Sequence, residues 1–442
     1  MGHFVFFAHN RRKKVLYLHV VFLTGTYHPH GSAVSNCVRN VALELTRNHK
    51  VTIVCEKSMI SQETVEIIDG QYIKRFMTNE AILRGMLESR RVGGAAGYVG
   101  ELNKIIYNAH RLLIAVKLIL SRVTVRRDLV CAFQAELNMI EDRIDMIVPA
   151  SLPFESVIAA ARYKSETASN ALIVPLLFDQ FADNDLLHRL PANKTLKRSK
   201  HIDVERNALV QTDMILAMHT LKSHFSKEHS ALRHIQYVEH PLITKISSSP
   251  RVDDEGMKIA YVGSLNKNYV TPGYLLRLFE ACNIDGARMH FYIRGNCSDI
   301  VNKFCGRLTT KMVNHGSVDK QTANQVMCES HVLINIAEQS GRQVSSKIFE
   351  YMACGKPIIH FYSVDSDVNL KILARYPLAL CLKQDEAIFQ RNVVYFEEFC
   401  NKHYNMFVPF EEVEKIFWDA VPKYTADLME KLLSCNKVSA SE

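Results

Sequence analysis

The sequence lacks any uninterrupted run of the roughly 18 apolar residues that a membrane-crossing helix needs, so no spanning segment is expected. It also lacks a Cys-x-x-Cys pair: eleven cysteines, an odd number, are scattered from Cys37 to Cys435 with no His/Cys cluster at zinc spacing. That scatter argues against a zinc module and a disulfide framework, and reads as reduced, mostly buried thiols of a cytosolic protein. A full G-x-G-x-x-G is missing, low-complexity blocks are missing, and no module interleaves basic residues with exposed aromatics, so nucleic acid is not an expected partner. Residues 1–8 are apolar but few, and basic residues follow them, which is the wrong order for a secretory signal.

What is present is ordinary globular material in quantity. A chain of 442 residues exceeds what one core usually serves, so two domains of about 200 residues each are expected. The 48% hydrophobic and 23% charged content gives no sign of disorder. Net charge is +8, concentrated at 11–14, 122–127 and 188–206, a balance that suits nucleotide phosphates or anionic lipid headgroups.

The first half alternates strand and helix signals, which implies a parallel sheet. Residues 15–23 form an apolar run of the kind found in strands covered on both faces. The loop His28-Pro29-His30-Gly31-Ser32 follows, then Val38, Val41, Ala42 and Leu45 at helical spacing, then a strand over 51–55. Gly31 and Ser32 thus sit at the carboxyl end of a strand, where open α/β sheets place ligands; His28 and His30, without further ligands, read as loop residues. Residues 101–127 are the most amphipathic basic stretch, suited either to an anionic membrane surface or to packing on the sheet. Strands are expected over 145–149, 171–178, 213–218 and 237–242, with helices over 155–163 and 204–208. The 171–178 run ends in Asp179, Asp183 and Asp185; Asp179, nearest the strand, is the candidate base or hydroxyl-binding group, while the alternative is a solvated loop capping the next helix.

Residues 243–256 turn to Lys, Ser, Pro and Asp, a linker, and the pattern restarts. A strand over 259–262 ends at Gly263-Ser264, a helix covers 274–281, and a strand over 289–293 ends at Arg294-Gly295. After a strand over 332–336, Ser345-Ser346 opens a helix that Gly355 and Pro357 close before a strand over 358–361. Ile348, Phe349, Met352 and Ala353 make its apolar face, and Lys347, Glu350, Tyr351 and Cys354 fall on another, presenting a cation, a carboxylate and a phenol. A helix start with free N–H groups, a serine pair and a lysine seats a phosphate. Glu350 does not stand three residues after either serine, so it is no capping-box acid and can bind a ligand; the bland alternative is an exposed Lys347–Glu350 pair. Gly263, Ser264, Lys267 and Arg294 converge on the same sheet edge as Ser345, and helices over 410–418 and 424–433 close the chain.

Ser346-Lys347-Ile348-Phe349-Glu350-Tyr351-Met352-Ala353-Cys354-Gly355-Lys356-Pro357, with Tyr261-Val262-Gly263-Ser264-Leu265 and the Gly31-Ser32 loop, resembles the GT-B nucleotide-sugar glycosyltransferases, most closely the retaining family 4 type. The resemblance implies an α/β fold of two Rossmann-like doubly wound parallel-sheet domains facing a cleft: 1–243 on the acceptor side, 257–408 for the donor, and 409–442 as helices, the last crossing back to the first domain. It implies that Glu350 holds the ribose and Ser345, Ser346 and Lys347 the diphosphate of a nucleotide-sugar donor, without a metal or other cofactor. Three departures stand out. Arg342 occupies the position of an expected acid, leaving Glu338 as the nearest candidate to contact the sugar; Ser264 replaces a common arginine, leaving Lys267 or Arg294 to neutralise phosphate; and Gly-Ser replaces Gly-Gly at 31–32. The implied activity is hexosyl transfer to a hydroxyl of a saccharide or lipid-linked saccharide, for surface polysaccharide or glycolipid, in the cytoplasm or at the inner face of the membrane through 101–127. An inverting enzyme would need a base such as Asp179 on the acceptor side. The alternatives are a catalytically degenerate partner protein, and a nucleotide-sugar epimerase using Asp179, Asp183 and Asp185.

Overall fold

Continuous apolar runs bounded by small or polar residues become parallel strands here, because each strand is covered on both faces and gains from a side chain at every position. The structure, a computed structural model, describes residues 17–29, 31–92, 98–184, 187, 191–246 and 256–441; the basic cluster 11–14, His30, Asp185 and most of the linker lie outside them. Contacts divide the chain into Met1–Val238 with Ala426–Glu442 and a second unit, Glu239–Thr425.

In the first unit, β1 (His19–Thr24), β2 (Lys50–Glu56), β3 (Val65–Ile68), β4 (Gln71–Phe76), β5 (Met146–Pro149) and β6 (Leu172–Ile173) form a sheet of order β3-β4-β2-β1-β5-β6. All its pairs are parallel except the β3–β4 hairpin, whose turn is Asp69-Gly70, both with positive φ. That dipeptide between alternating residues is a hairpin signal which the strand-helix alternation alone does not reveal. A separate sheet of β7 (Leu176–Leu177), β8 (Ile215–Met218) and β9 (Ile235–Val238) follows. The single strand expected over 171–178 is therefore two: Leu172 and Ile173 pair with β5, whereas Leu176 and Leu177 pair with β8 in the other sheet. Pro175, which has no N–H to donate, stands at the change of partner. The amphipathic stretch 101–127 is helical only as far as Leu120, in helix Tyr98–Leu120, and the next helix, Arg127–Asn138, begins at its last residue.

The second unit holds β10 (Lys258–Leu265), β11 (Arg288–Gly295), β12 (Met312–Asn314), β13 (Val332–Ile336), β14 (Ile358–Tyr362) and β15 (Ala379–Lys383). Their order is β12-β11-β10-β13-β14-β15 and all pairs are parallel, the doubly wound arrangement that runs outward from a central pair in both directions. Leu275, Leu276, Phe279, Phe291, Ile334 and Phe396 lie in its apolar core. Helix Ser346–Ala353 ends as the sequence suggests, at Gly355 with φ of 69°. No helix among the described residues is long and apolar enough to cross a membrane.

A Cβ at Gly355 would strike the carbonyl oxygen of Val408, so Gly355→Ala adds a steric clash to a left-handed conformation that costs about 1–2 kcal/mol. The expected outcome is a thermal midpoint for the second unit lowered by roughly 3–8 °C in a calorimetric scan.

Candidate functional site

The reversal of strand order between β10 and β13 opens a crevice beyond their carboxyl ends, the usual ligand position in such sheets. Gly263 and Ser264 end β10, Arg294 and Gly295 end β11 directly beside Ser264 and Leu265, and Glu338 follows β13. Lys267 and Arg342 lie on the adjoining loops, and Ser345 to Glu350 begin the helix that β13 feeds. The sheet thus brings together the second-unit candidates that are dispersed over 263–350 of the sequence.

The helix is fastened to the crevice by Tyr351. The β10–β13 ladder stops after Ala260 and Leu333, and the next outward backbone groups of β10 meet a phenol instead. Val262 N–H donates to Tyr351 Oη at 3.2 Å, and Tyr351 O–H donates to Val262 O at 3.0 Å. Tyr351 is fully buried, so the expectation of a presented phenol is corrected: the hydroxyl satisfies two strand groups that would otherwise be orphaned.

Lys347 lies along Gly263, where a Cβ would collide with its Cε, and its ammonium sits 5.3 Å from the Tyr261 ring centre. Glycine at 263, with φ of 146°, is what lets the lysine lie so close to the strand end. Burial lowers the Lys347 pKa to about 8, with Glu350 opposing the shift and Arg294 adding to it. An unfolded chain with an ordinary lysine binds a proton between pH 8 and the usual lysine value of 10.5 that the fold does not, so this group makes stability rise with pH in that window. Arg294 is exposed and has no hydrogen-bond or ion-pair partner among the described residues. The N–H groups of Ser346 and Lys347, in the first turn of the helix, likewise have no protein acceptor among the described residues.

Ser345 is spoken for. Its N–H donates to Asn369 Oδ1 at 2.8 Å and its hydroxyl to Asn335 Oδ1 at 2.8 Å. Asn335 Nδ2 reaches His360 Nδ1 at 2.7 Å, and Asp367 Oδ1 accepts from both the backbone and the side chain of Asn369 at 2.8 Å. His360 Nε2 and Asp367 Oδ2 face each other at 3.7 Å, nearly closing a buried polar ring that fixes where the helix begins. Sequence reasoning missed this ring; its signal was an asparagine and a histidine inside apolar strands, at positions that turn out to be paired in register.

Several other candidates are already partnered. Glu350 forms an ion pair with Lys320 at 2.6 Å, replacing the expected choice between a free carboxylate and a Lys347 pair. Lys267 is paired with Asp299 at 2.6 Å. Glu338 accepts from Ser340 N–H at 3.0 Å within its own turn, and Arg342 is exposed.

Ser32 is the N-cap of helix Ala33–Thr46, its hydroxyl accepting from Ser35 N–H, and a Cβ on Gly31 would collide with Ser35 Oγ. Asp179 is half-buried, its N–H 3.4 Å from Ser151 Oγ. Asp183 is held by Arg198 through two bonds of 2.8 and 2.9 Å, and Asp185 lies outside the described residues. The loop that carries them is gripped by buried Glu205, another residue sequence reasoning missed. Its Oε1 accepts from Phe181 and Ala182 N–H, and its Oε2 lies 2.9 and 3.0 Å from His224 and His229 Nε2. Burial would raise its pKa, but the bonds from both imidazoles outweigh it and hold the carboxylate at about 2. Glu205, His224 and His229 converge closely enough to hold a cation, yet both carboxylate oxygens already have hydrogen-bond partners, and buried His229 Nδ1 has no acceptor among the described residues to orient it as a ligand.

Comparison with known proteins gives a consistent result. A family described as glycosyl transferase-like matches residues 276–371. No curated protein sequence matches the chain. Among solved structures, sucrose-phosphate synthase from Thermosynechococcus elongatus superposes with a TM-score of 0.60 at 13% identity, covering 95% of this chain and 100% of that one. HepE of Anabaena, in complex with UDP and glucose, gives 0.53 at 11% identity, covering 96% and 99%. The catalytic domain of starch synthase IV from Arabidopsis thaliana, bound to ADP and acarbose, gives 0.53 at 11%, covering 95% and 99%. Two Rossmann-like units, this likeness of fold over nearly the whole chain, and the family match in the second unit together make this a GT-B fold with a glycosyl transferase-like segment.

Proposed function

We propose that the protein transfers a hexosyl unit from a nucleoside diphosphate sugar to an acceptor hydroxyl of a saccharide or lipid-linked saccharide. The observation that carries this reading is Lys347, laid against Gly263 at the crevice between β10 and β13, beside two helix N–H groups and Arg294 that have no partner among the described residues. Together they offer a diphosphate two cations and two aligned donors, fixed in place before any charge develops on it. Ser264 is uncharged and Lys267 is held by Asp299, so the countercharge comes chiefly from Lys347 and Arg294. Glu350 exchanges its exposed Lys320 partner for ribose hydroxyls, a small loss since such pairs contribute about 0–1 kcal/mol. Glu338 and Arg342 contact the sugar, and Asp179 of the first unit serves the acceptor. Net retention is the stereochemistry that the sequence resemblance supports. UDP with HepE and ADP with starch synthase IV favour a nucleoside diphosphate as the common part of the ligand.

Calorimetric titration with UDP, ADP, GDP and TDP tests the reading. One of them is expected to bind, and both Lys347→Met and Glu350→Ala should weaken it by at least about tenfold, the value of a lost charge-assisted contact. Failure of all four to bind, or unchanged affinity in both variants, refutes the assignment.

A second outcome concerns pH. The diphosphate prefers the charged lysine, so affinity should fall as pH rises through about 8, and this step should be absent in Lys347→Met. A flat profile in the parent protein between pH 7 and 9 would remove Lys347 from the diphosphate site.

A further inference from the structure

Helix Tyr98–Leu120 carries its apolar face outward. Ile105, Leu112, Leu113, Val116, Ile119 and Leu120 recur at spacings of three, four and seven, and all are exposed, Leu112 by 65%, Leu113 by 68% and Leu120 by 79%. The opposite face, with Tyr107, Ile114 and Leu118, is the half-buried one, and Lys197 donates to Leu118 O at 2.7 Å where the helix ends. At 3.6 residues per turn, Lys104 and Arg111 fall along one border of the exposed stripe and Lys117 along the other. A contiguous apolar surface of this kind marks an interaction site rather than ordinary surface.

We propose that this helix docks the protein on an anionic lipid surface, lying in the interface with the stripe among the acyl chains and the border cations at the headgroups. The inference rests on the helix alone and does not depend on the glycosyl-transfer reading. Charge selects the occupant. Arg111, Lys117 and Arg122 have no carboxylate partner among the described residues, and the one acid on the helix, Glu101, is paired with Lys104 at 2.7 Å. A second copy of the chain would bring these cations together with at most Glu101 to meet them, whereas anionic headgroups neutralise them all. The helix lies on the bilayer and does not cross it, since no helix among the described residues is long and apolar enough to do so.

Flotation of the full chain with phosphatidylcholine vesicles, with and without phosphatidylglycerol, tests the proposal. Binding should be at least about tenfold stronger with the anionic lipid and should weaken as salt is raised. Leu112→Glu/Leu113→Glu should lower it by more than about tenfold, as two exposed leucines lose their burial. Arg111→Glu/Lys117→Glu keeps the stripe and should abolish the preference for anionic lipid. Absence of binding, equal binding to both vesicles, or a concentration-dependent dimer in sedimentation that Leu112→Glu/Leu113→Glu dissolves would each overturn the proposal, the last by assigning the face to a second copy.

Discussion

One hydroxyl group holds the second unit's crevice open. Where β10 and β13 part, Val262 would be left with an N–H and a C=O in the protein interior, each costing about 1–3 kcal/mol unpaired. Tyr351 supplies both bonds from a helix that leaves β13 and returns to β14, so the same contact lets the strands diverge and clamps the helix at the divergence. Lys347, one turn earlier on that helix, is thereby delivered to Gly263, and the first-turn N–H groups are delivered with it.

The start of the helix is fixed by a second device, the polar ring through Ser345, Asn335, His360, Asp367 and Asn369. Because Ser345 gives its N–H and its hydroxyl to this ring, it orients the helix, and the proposed diphosphate contact rests with Ser346 and Lys347. The division of labour is physical: a buried group that must be satisfied cannot also wait for a ligand, whereas first-turn N–H groups without an acceptor among the described residues can. The first unit is built in the same manner, with Glu205 and two histidines gripping the loop that carries Asp179.

Much of the fold was legible in the residues. The apolar runs of 259–262, 332–336 and 358–361 became β10, β13 and β14 with ends shifted by at most a few positions. Departures arose where a local signal had two meanings. The run 171–178 is continuous in hydrophobicity, but Pro175 lets the chain change sheets, and periodicity cannot register which neighbour a strand will choose. Tyr351 sits at helical spacing from Lys347, so the pattern grouped it with the polar residues; its ring is buried where its hydroxyl meets Val262 of β10, 89 residues away in the chain.

The sequence by itself determined the secondary elements, the restart after the linker, and the loop residues available at strand ends, because these depend on short-range periodicity, turn chemistry and chain order. Only the tertiary structure decided which charges are spent. Lys267 met Asp299, Glu350 met Lys320 and Asp183 met Arg198, while Arg294 has no partner among the described residues and Lys347 is half-buried. Those partners come from elements up to 32 residues apart in the chain, and an ion pair or a depressed pKa depends on distance and burial in space, quantities that residue order does not contain.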